Sequence, residues 1–131
     1  MNRNINRDQQ LLVRIRSNQE KIASYLARFS CKREADLFKP ENEICLEACS
    51  FNMLNLYEDY KNLTMASQEA LCFIDGPILR TLRNMIGHTY QTADKRVLTA
   101  YIFLITKKEC MDMVTNRIRV CQRLRTQELD L

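Results

Sequence analysis

Glu41-Asn42-Glu43-Ile44-Cys45-Leu46-Glu47-Ala48-Cys49-Ser50-Phe51-Asn52-Met53-Leu54-Asn55-Leu56-Tyr57-Glu58-Asp59-Tyr60-Lys61-Asn62-Leu63 contains neither glycine nor proline. Its apolar members Ile44, Cys45, Ala48, Cys49, Phe51, Leu54, Leu56, Tyr57 and Tyr60 recur at helical spacing and cover much of the circumference. A helix that is apolar nearly all round belongs at the centre of a core. The run therefore predicts the central helix of an all-α protein. Lys39-Pro40 ahead of it breaks the chain, because a residue before proline avoids the α region, and proline suits the first turn of the restart.

The flanks read the same way. Towards the N-terminus, Leu12, Ile15, Ile22, Leu26 and Phe29 mark an amphipathic helix over Asp8–Phe29. It ends near Ser30, with a short turn through Cys31–Phe38. Towards the C-terminus, a loop is expected over Asn62–Ser67 and a short helix over Gln68–Ile74. Asp75-Gly76-Pro77 is a sharp boundary, with Gly76 free to take positive φ and Pro77 in the first turn of the next helix. That helix carries Ile78, Leu79, Leu82, Met85 and Ile86 on one face, and Gly87 is its expected stop. Thr92 to Asp94 offers caps for one long last helix, Asp94–Arg125. Its stripe is Val97, Tyr101, Leu104, Met111, Val114, Ile118, Cys121 and Leu124, and it spans roughly 45 Å at 1.5 Å per residue. That exceeds what a bundle of this size needs, so part of the stripe is free to pack on a second subunit. The expectation is one domain over residues 1–131 with four to five helices, frayed over about seven residues at the start and about six at the end.

Composition agrees and excludes several classes. The 131 residues include two glycines and two prolines, so turn punctuation is scarce. No apolar run approaches the roughly 18 residues of a membrane span, and Met1-Asn2-Arg3-Asn4 lacks the apolar core of a secretory leader. A soluble, cytoplasmic protein without a membrane role is expected. The six cysteines, Cys31, Cys45, Cys49, Cys72, Cys110 and Cys121, form no Cys-x-x-Cys pair, which argues against a disulfide framework or a zinc ribbon. Cys45 and Cys49 share a helix face but lack two further ligands, so no metal site and no cofactor are expected. The net charge of +4 permits a polyanionic partner without demanding one. Arg117, Arg119, Arg123 and Arg125 suit a helix C-terminus at least as well as a nucleic-acid patch.

The chemistry concentrates in Leu79-Arg80-Thr81-Leu82-Arg83-Asn84-Met85-Ile86-Gly87-His88-Thr89-Tyr90, which holds the only histidine. Arg83, Asn84, His88 and Tyr90 supply a fixed cation, an amide, a group that titrates near neutral pH and a phenol, a set suited to phosphate chemistry. On a regular helix five residues turn through about 500°, placing Arg83 and His88 about 140° apart, whereas Asn84 and His88 are about 40° apart. Either the helix ends at Gly87 and releases His88, or a second subunit completes the site at a twofold axis. His88 as a helix-end donor, Arg83 as a surface ion-pair residue and Tyr90 as a loop anchor are the structural alternatives.

Arg83-x4-His88-x-Tyr90, with Asn84 after the arginine, resembles the signature of the HepT group of HEPN proteins. The helix order, the Pro77 start, Glu58-x-x-Lys61-x-Leu63-Thr64 closing the central helix and Asp94 opening the last are also similar, over about Leu11 to Leu124. The chain differs where the family often has Gly-Glu-Ala, here Tyr57-Glu58-Asp59, and where it often has tryptophan after the proline, here Ile78-Leu79. The resemblance implies a dimeric antiparallel helical bundle of HEPN type. It would be the ribonuclease toxin of a type VII-like toxin–antitoxin pair, cutting RNA without a metal and neutralised by a small nucleotidyltransferase. Arg83 would hold the scissile phosphate, His88 would move the proton, and Asn84 would orient one of them. Tyr90 would be the hydroxyl that the partner modifies with AMP. The rival is a non-catalytic HEPN subunit that docks on a nucleotidyltransferase and helps to hold its substrate. A structural interaction bundle, with the motif a coincidence, is the third reading.

Overall fold

A computed structural model describes residues 2–88 and 95–129, with side chains described over 4–86 and 95–127. Among the described residues there are seven α-helices and no strand. They are α1 (Asn2–Arg28), α2 (Glu34–Leu37), α3 (Glu43–Lys61, preceded by a 3-10 turn at Pro40–Asn42), α4 (Met65–Ala70), α5 (Gly76–His88), α6 (Lys95–Ile105) and α7 (Lys108–Leu129). The chain is all-α, as its periodicity predicts, although with more helices than the expected four to five.

Leu12, Ile15 and Ile22 of α1 are fully buried, each contributing about 1.5–3 kcal/mol by leaving water. They meet Cys45, Cys49, Met53 and Leu56 of α3 and Val114 and Cys121 of α7 in one core. Polar contacts along α1 give the helix directions. Arg125 Nη1 donates to Gln9 Oε1 at 2.7 Å, Arg16 Nε to Thr115 Oγ1 at 3.2 Å, and Gln19 Nε2 to the Ile105 carbonyl at 2.8 Å. Residue numbers rise on α1 as they fall across it, so α1 and α7 are antiparallel. Arg14 pairs with Asp59 at 2.7 Å, and Cys45 Sγ lies 3.6 Å from the Tyr25 carbonyl, so α3 is antiparallel to α1 as well. Burial raises the Asp59 carboxyl pKa, and the Arg14 guanidinium opposes that shift.

The ends of the helices follow local chemistry. Ser30 has φ 55°, and the Cys31 N–H donates to the Leu26 carbonyl at 2.8 Å, which closes α1 in the left-handed conformation that usually falls to glycine. Asp36 Oδ2 accepts the N–H groups of Lys32 at 2.8 Å and Arg33 at 3.0 Å, which hold its carboxyl below the usual range. Buried Asp8 accepts from the Thr64 N–H at 3.0 Å, from the Thr64 hydroxyl at 2.6 Å and from the Ser67 hydroxyl. The start of α4 is thereby tied to α1.

Several expected boundaries are corrected. Thr64 caps α4 by accepting from the Ser67 N–H, so the helix begins at Met65 inside the expected loop and ends at Ala70 rather than Ile74. Gly76 does not take positive φ; it is the first residue of α5, where a Cβ would lie 3.5 Å from Tyr60 Cε1. The long last helix is two helices. Thr106 Oγ1 donates back to the Ile102 carbonyl at 3.0 Å, Lys107 N–H takes the Leu104 carbonyl at 3.1 Å, and the Ile105 carbonyl is held by Gln19. A side chain from α1 thus replaces the next intrahelical donor, and the chain turns without glycine or proline. Gly87 does not stop α5, which stays helical through His88.

Candidate functional site

Arg83, Asn84 and His88 lie on α5. Leu79 and Leu82 are buried and bind the helix to the core, while Met85 and Ile86 pack against it only in part. Ile78, expected in the same stripe, is exposed. Asp75 fixes the start of α5 twice. Its N–H donates to Tyr101 Oη at 2.9 Å, anchoring the turn on α6, and its Oδ1 accepts the Ile78 N–H at 3.1 Å. That carboxylate satisfies an otherwise open N-terminal amide and complements the helix dipole. Tyr60 sits beside this turn, and its phenol is raised by burial first and by Asp75 second.

The opposite side of α5 is polar. Arg80, Arg83 and Asn84 are exposed. Arg83 Nε lies 3.1 Å from Glu58 Oε1 on α3, and the other oxygen of Glu58 takes Lys61 Nζ at 2.7 Å. The Lys61 hydrogen bond, more than the Arg83 charge, holds the Glu58 carboxyl below its usual value. Both ion pairs are roughly half-exposed, so each contributes little to stability. They do fix the directions of Arg83 and Lys61.

Because α5 is regular through His88, backbone positions 83 and 88 lie about 140° apart around it, and positions 84 and 88 fall within about 40°. The last described residue of α5 is His88, so the helix does not stop at Gly87. One copy of this helix does not converge positions 83 and 88 on a single small group. Tyr90 and the capping candidates Thr92 to Asp94 lie outside the described residues.

Two shallow apolar hollows flank the motif. One, of about 380 Å³, is lined by Ile78, Thr81, Leu82, Met85 and Val97; the other, of about 350 Å³, by Phe51, Leu54 and Ile86 with Glu47 and Ser50. Ile44 and Phe51 are 69% and 63% exposed, so the outer face of the central helix is uncovered in the single chain. A larger hollow of about 740 Å³ lies along α7 beside Arg119 and Arg123, and none of its described lining comes from α5. Among the described residues no group of three or more His, Cys, Asp or Glu is placed to hold a metal ion, and no helix is long and apolar enough to cross a membrane.

No protein-family model, curated protein or solved structure matches this chain. Its chemistry is therefore read from its own residues. Sequence reasoning singled out Arg83 and Asn84, and both are exposed on the motif helix. It assigned no role to Arg80, Lys61 or Glu58. The signal for Arg80 was present, since three residues before Arg83 is the same side of a helix. The meeting of Lys61 and Glu58 with α5 depends on how α3 packs, which spacing does not reveal.

Proposed function

We propose that this chain is a metal-independent endoribonuclease, acting as the toxin of a toxin–antitoxin pair whose partner is a small nucleotidyltransferase. The reading is carried by the sequence Arg83-Asn84-x3-His88-x-Tyr90, whose first three named residues sit on a helix with buried Leu79 and Leu82 on one side and exposed Arg83 and Asn84 on the other. Arg83 binds the scissile phosphate and stabilises the charge that builds on its oxygens. The ribose 2′-oxygen attacks phosphorus and the 5′-oxygen leaves. His88 takes the proton from the first or gives one to the second, since its ordinary pKa lies near neutral pH. Asn84 orients the histidine or the phosphate. Tyr90 receives AMP from the partner, and the added phosphate and nucleoside block the site.

The chain works as a homodimer of HEPN-type antiparallel bundles. The 140° between positions 83 and 88 supports this, because a second copy of the motif supplies the missing group across a twofold axis. Exposed Phe51, with Ile86 beside it, and exposed Ile44 earlier on α3 support the same assembly by leaving apolar surface uncovered. The Glu58–Arg83 pair favours a second reading, a non-catalytic subunit docked on a nucleotidyltransferase, because it engages the arginine that would bind phosphate.

A labelled single-stranded RNA incubated with the purified chain in excess EDTA separates the two. The parent is expected to cut it. His88→Ala and Arg83→Ala are each expected to slow cutting by about 10²-fold or more while helicity is retained. Equal cutting by parent and His88→Ala sinks the catalytic reading, and an inert parent that binds the nucleotidyltransferase favours the docking subunit.

A further inference from the structure

We propose that the cleft between the end of α3, α4 and the first turn of α5 binds the RNA phosphate that neighbours the one held by Arg83. The cleft encloses about 300 Å³ and is lined by Lys61, Arg80, Gln68, Tyr57, Tyr60 and the α5 start at Gly76-Pro77. This assignment rests on the ribonuclease reading and extends it to a second point on the strand.

Lys61 and Arg80 come from different helices and converge on one hollow. Among the described residues no carboxylate pairs with Arg80. Among the described residues the one carboxylate beside Lys61 is Glu58, which is shared with Arg83, and the Lys61 ammonium also lies 6.0 Å from the centre of the Tyr57 ring. The Asp75 carboxylate is turned to the α5 backbone, where it accepts the Ile78 N–H at 3.1 Å. Gln68 forms the floor of the cleft, its amide N–H groups donating to the carbonyls of Tyr60 at 3.1 Å and Lys61 at 3.5 Å. Gly76 brings no side chain into the space beside Tyr60. Two cations with several N–H donors between them suit a phosphate, which accepts from several donors at once.

The link to the motif is geometric. Arg80 and Arg83 are three residues apart on the exposed side of α5, about 60° around the axis and about 4.5 Å along it. Both face α3, where Lys61 and Glu58 are also three apart and joined by an ion pair. Lys61, Glu58 and Arg83 therefore form a continuous polar track from the cleft to the motif. A strand lying along α5 meets Arg83 with one phosphate and the cleft with the next.

The test uses the full chain and a fluorescein-labelled 2′-O-methyl oligoribonucleotide, whose blocked 2′-oxygen prevents cleavage, with binding read by anisotropy between 50 and 200 mM salt. Arg80→Ala and Lys61→Ala are each expected to weaken binding roughly three- to tenfold and to lower the salt slope by about 0.7. Lys21→Ala removes the same charge from an exposed position on α1 and is expected to change neither. The cleft is overturned if both α3–α5 variants bind with the parent's affinity and slope, or if Lys21→Ala matches them, or if the parent does not bind. RNA cutting by the parent is measured alongside. A cutting parent with Arg80→Ala and Lys61→Ala both unchanged rejects the cleft alone, whereas binding through the cleft without any cutting rejects the ribonuclease reading alone.

Discussion

Replacing Gln19 tests why the apolar stripe after Asp94 folds as two helices. The Gln19 side chain is fully buried, its Nε2 holds the Ile105 carbonyl at 2.8 Å, and its Oε1 has no partner among the described residues. Gln19→Ala strands that carbonyl, at about 1–3 kcal/mol, and leaves a space worth roughly another 1–2 kcal/mol. Removing the unpartnered Oε1 offsets about 1–3 kcal/mol, so the expected net loss in Gln19→Ala is about 1–2 kcal/mol, or roughly 4–8 °C in Tm for a chain of this size. Gln19→Leu strands the same carbonyl and removes the same Oε1 but fills the space. The leucine variant is therefore expected within about 1.5 kcal/mol of the parent. Urea unfolding followed by circular dichroism, with equal m-values, reads both. A loss below about 1 kcal/mol in Gln19→Ala would show that the bond to Ile105 does not hold the α6–α7 turn.

Two further outcomes follow from the packing. The Lys32 and Arg33 N–H groups lower the Asp36 carboxyl in the folded chain, so its stabilising contribution is fully present above the unfolded value of about 3.9 and drains as pH falls through the folded one. Asp36→Asn is expected to flatten the acid limb of a stability–pH curve while lowering stability at neutral pH; an unchanged limb contradicts the cap. Five of the six cysteines are buried and Cys72 is exposed. Burial lifts Cys31 to about 11 and raises Cys49, Cys110 and Cys121 as well, so a thiol reagent is expected to find one fast group natively and the rest on unfolding. Loss of the fast phase in Cys72→Ser confirms its source, and a second fast group refutes the burial argument.

The long amphipathic segments were legible because their apolar residues repeat at helical spacing. Leu12, Ile15, Ile22 and Leu26 of α1, and Leu79 and Leu82 of α5, are buried as their pattern predicts. The faces of α3 were less legible. An apolar circumference suggested burial all round, yet Ile44 and Phe51 face outward because no described helix covers that side. The short α4 was misplaced because its start is set by Thr64, whose hydroxyl is itself held by Asp8 from a helix distant in sequence. In the candidate site the arginine and asparagine were visible as a motif, whereas the contact of Glu58 with Arg83 joins α3 to α5 and has no local signature.

The sequence by itself determined the helical class, the core stripes and the residues available for phosphate chemistry, because these depend on spacing along one helix and on side-chain type. Tertiary structure alone decided where the last stripe breaks, since the Ile105 carbonyl is taken by Gln19 from another helix. It also decided that α5 runs on through Gly87 to His88. A glycine permits a helix to end but does not compel it. The continued helix keeps positions 83 and 88 apart, which bears most directly on how the motif works.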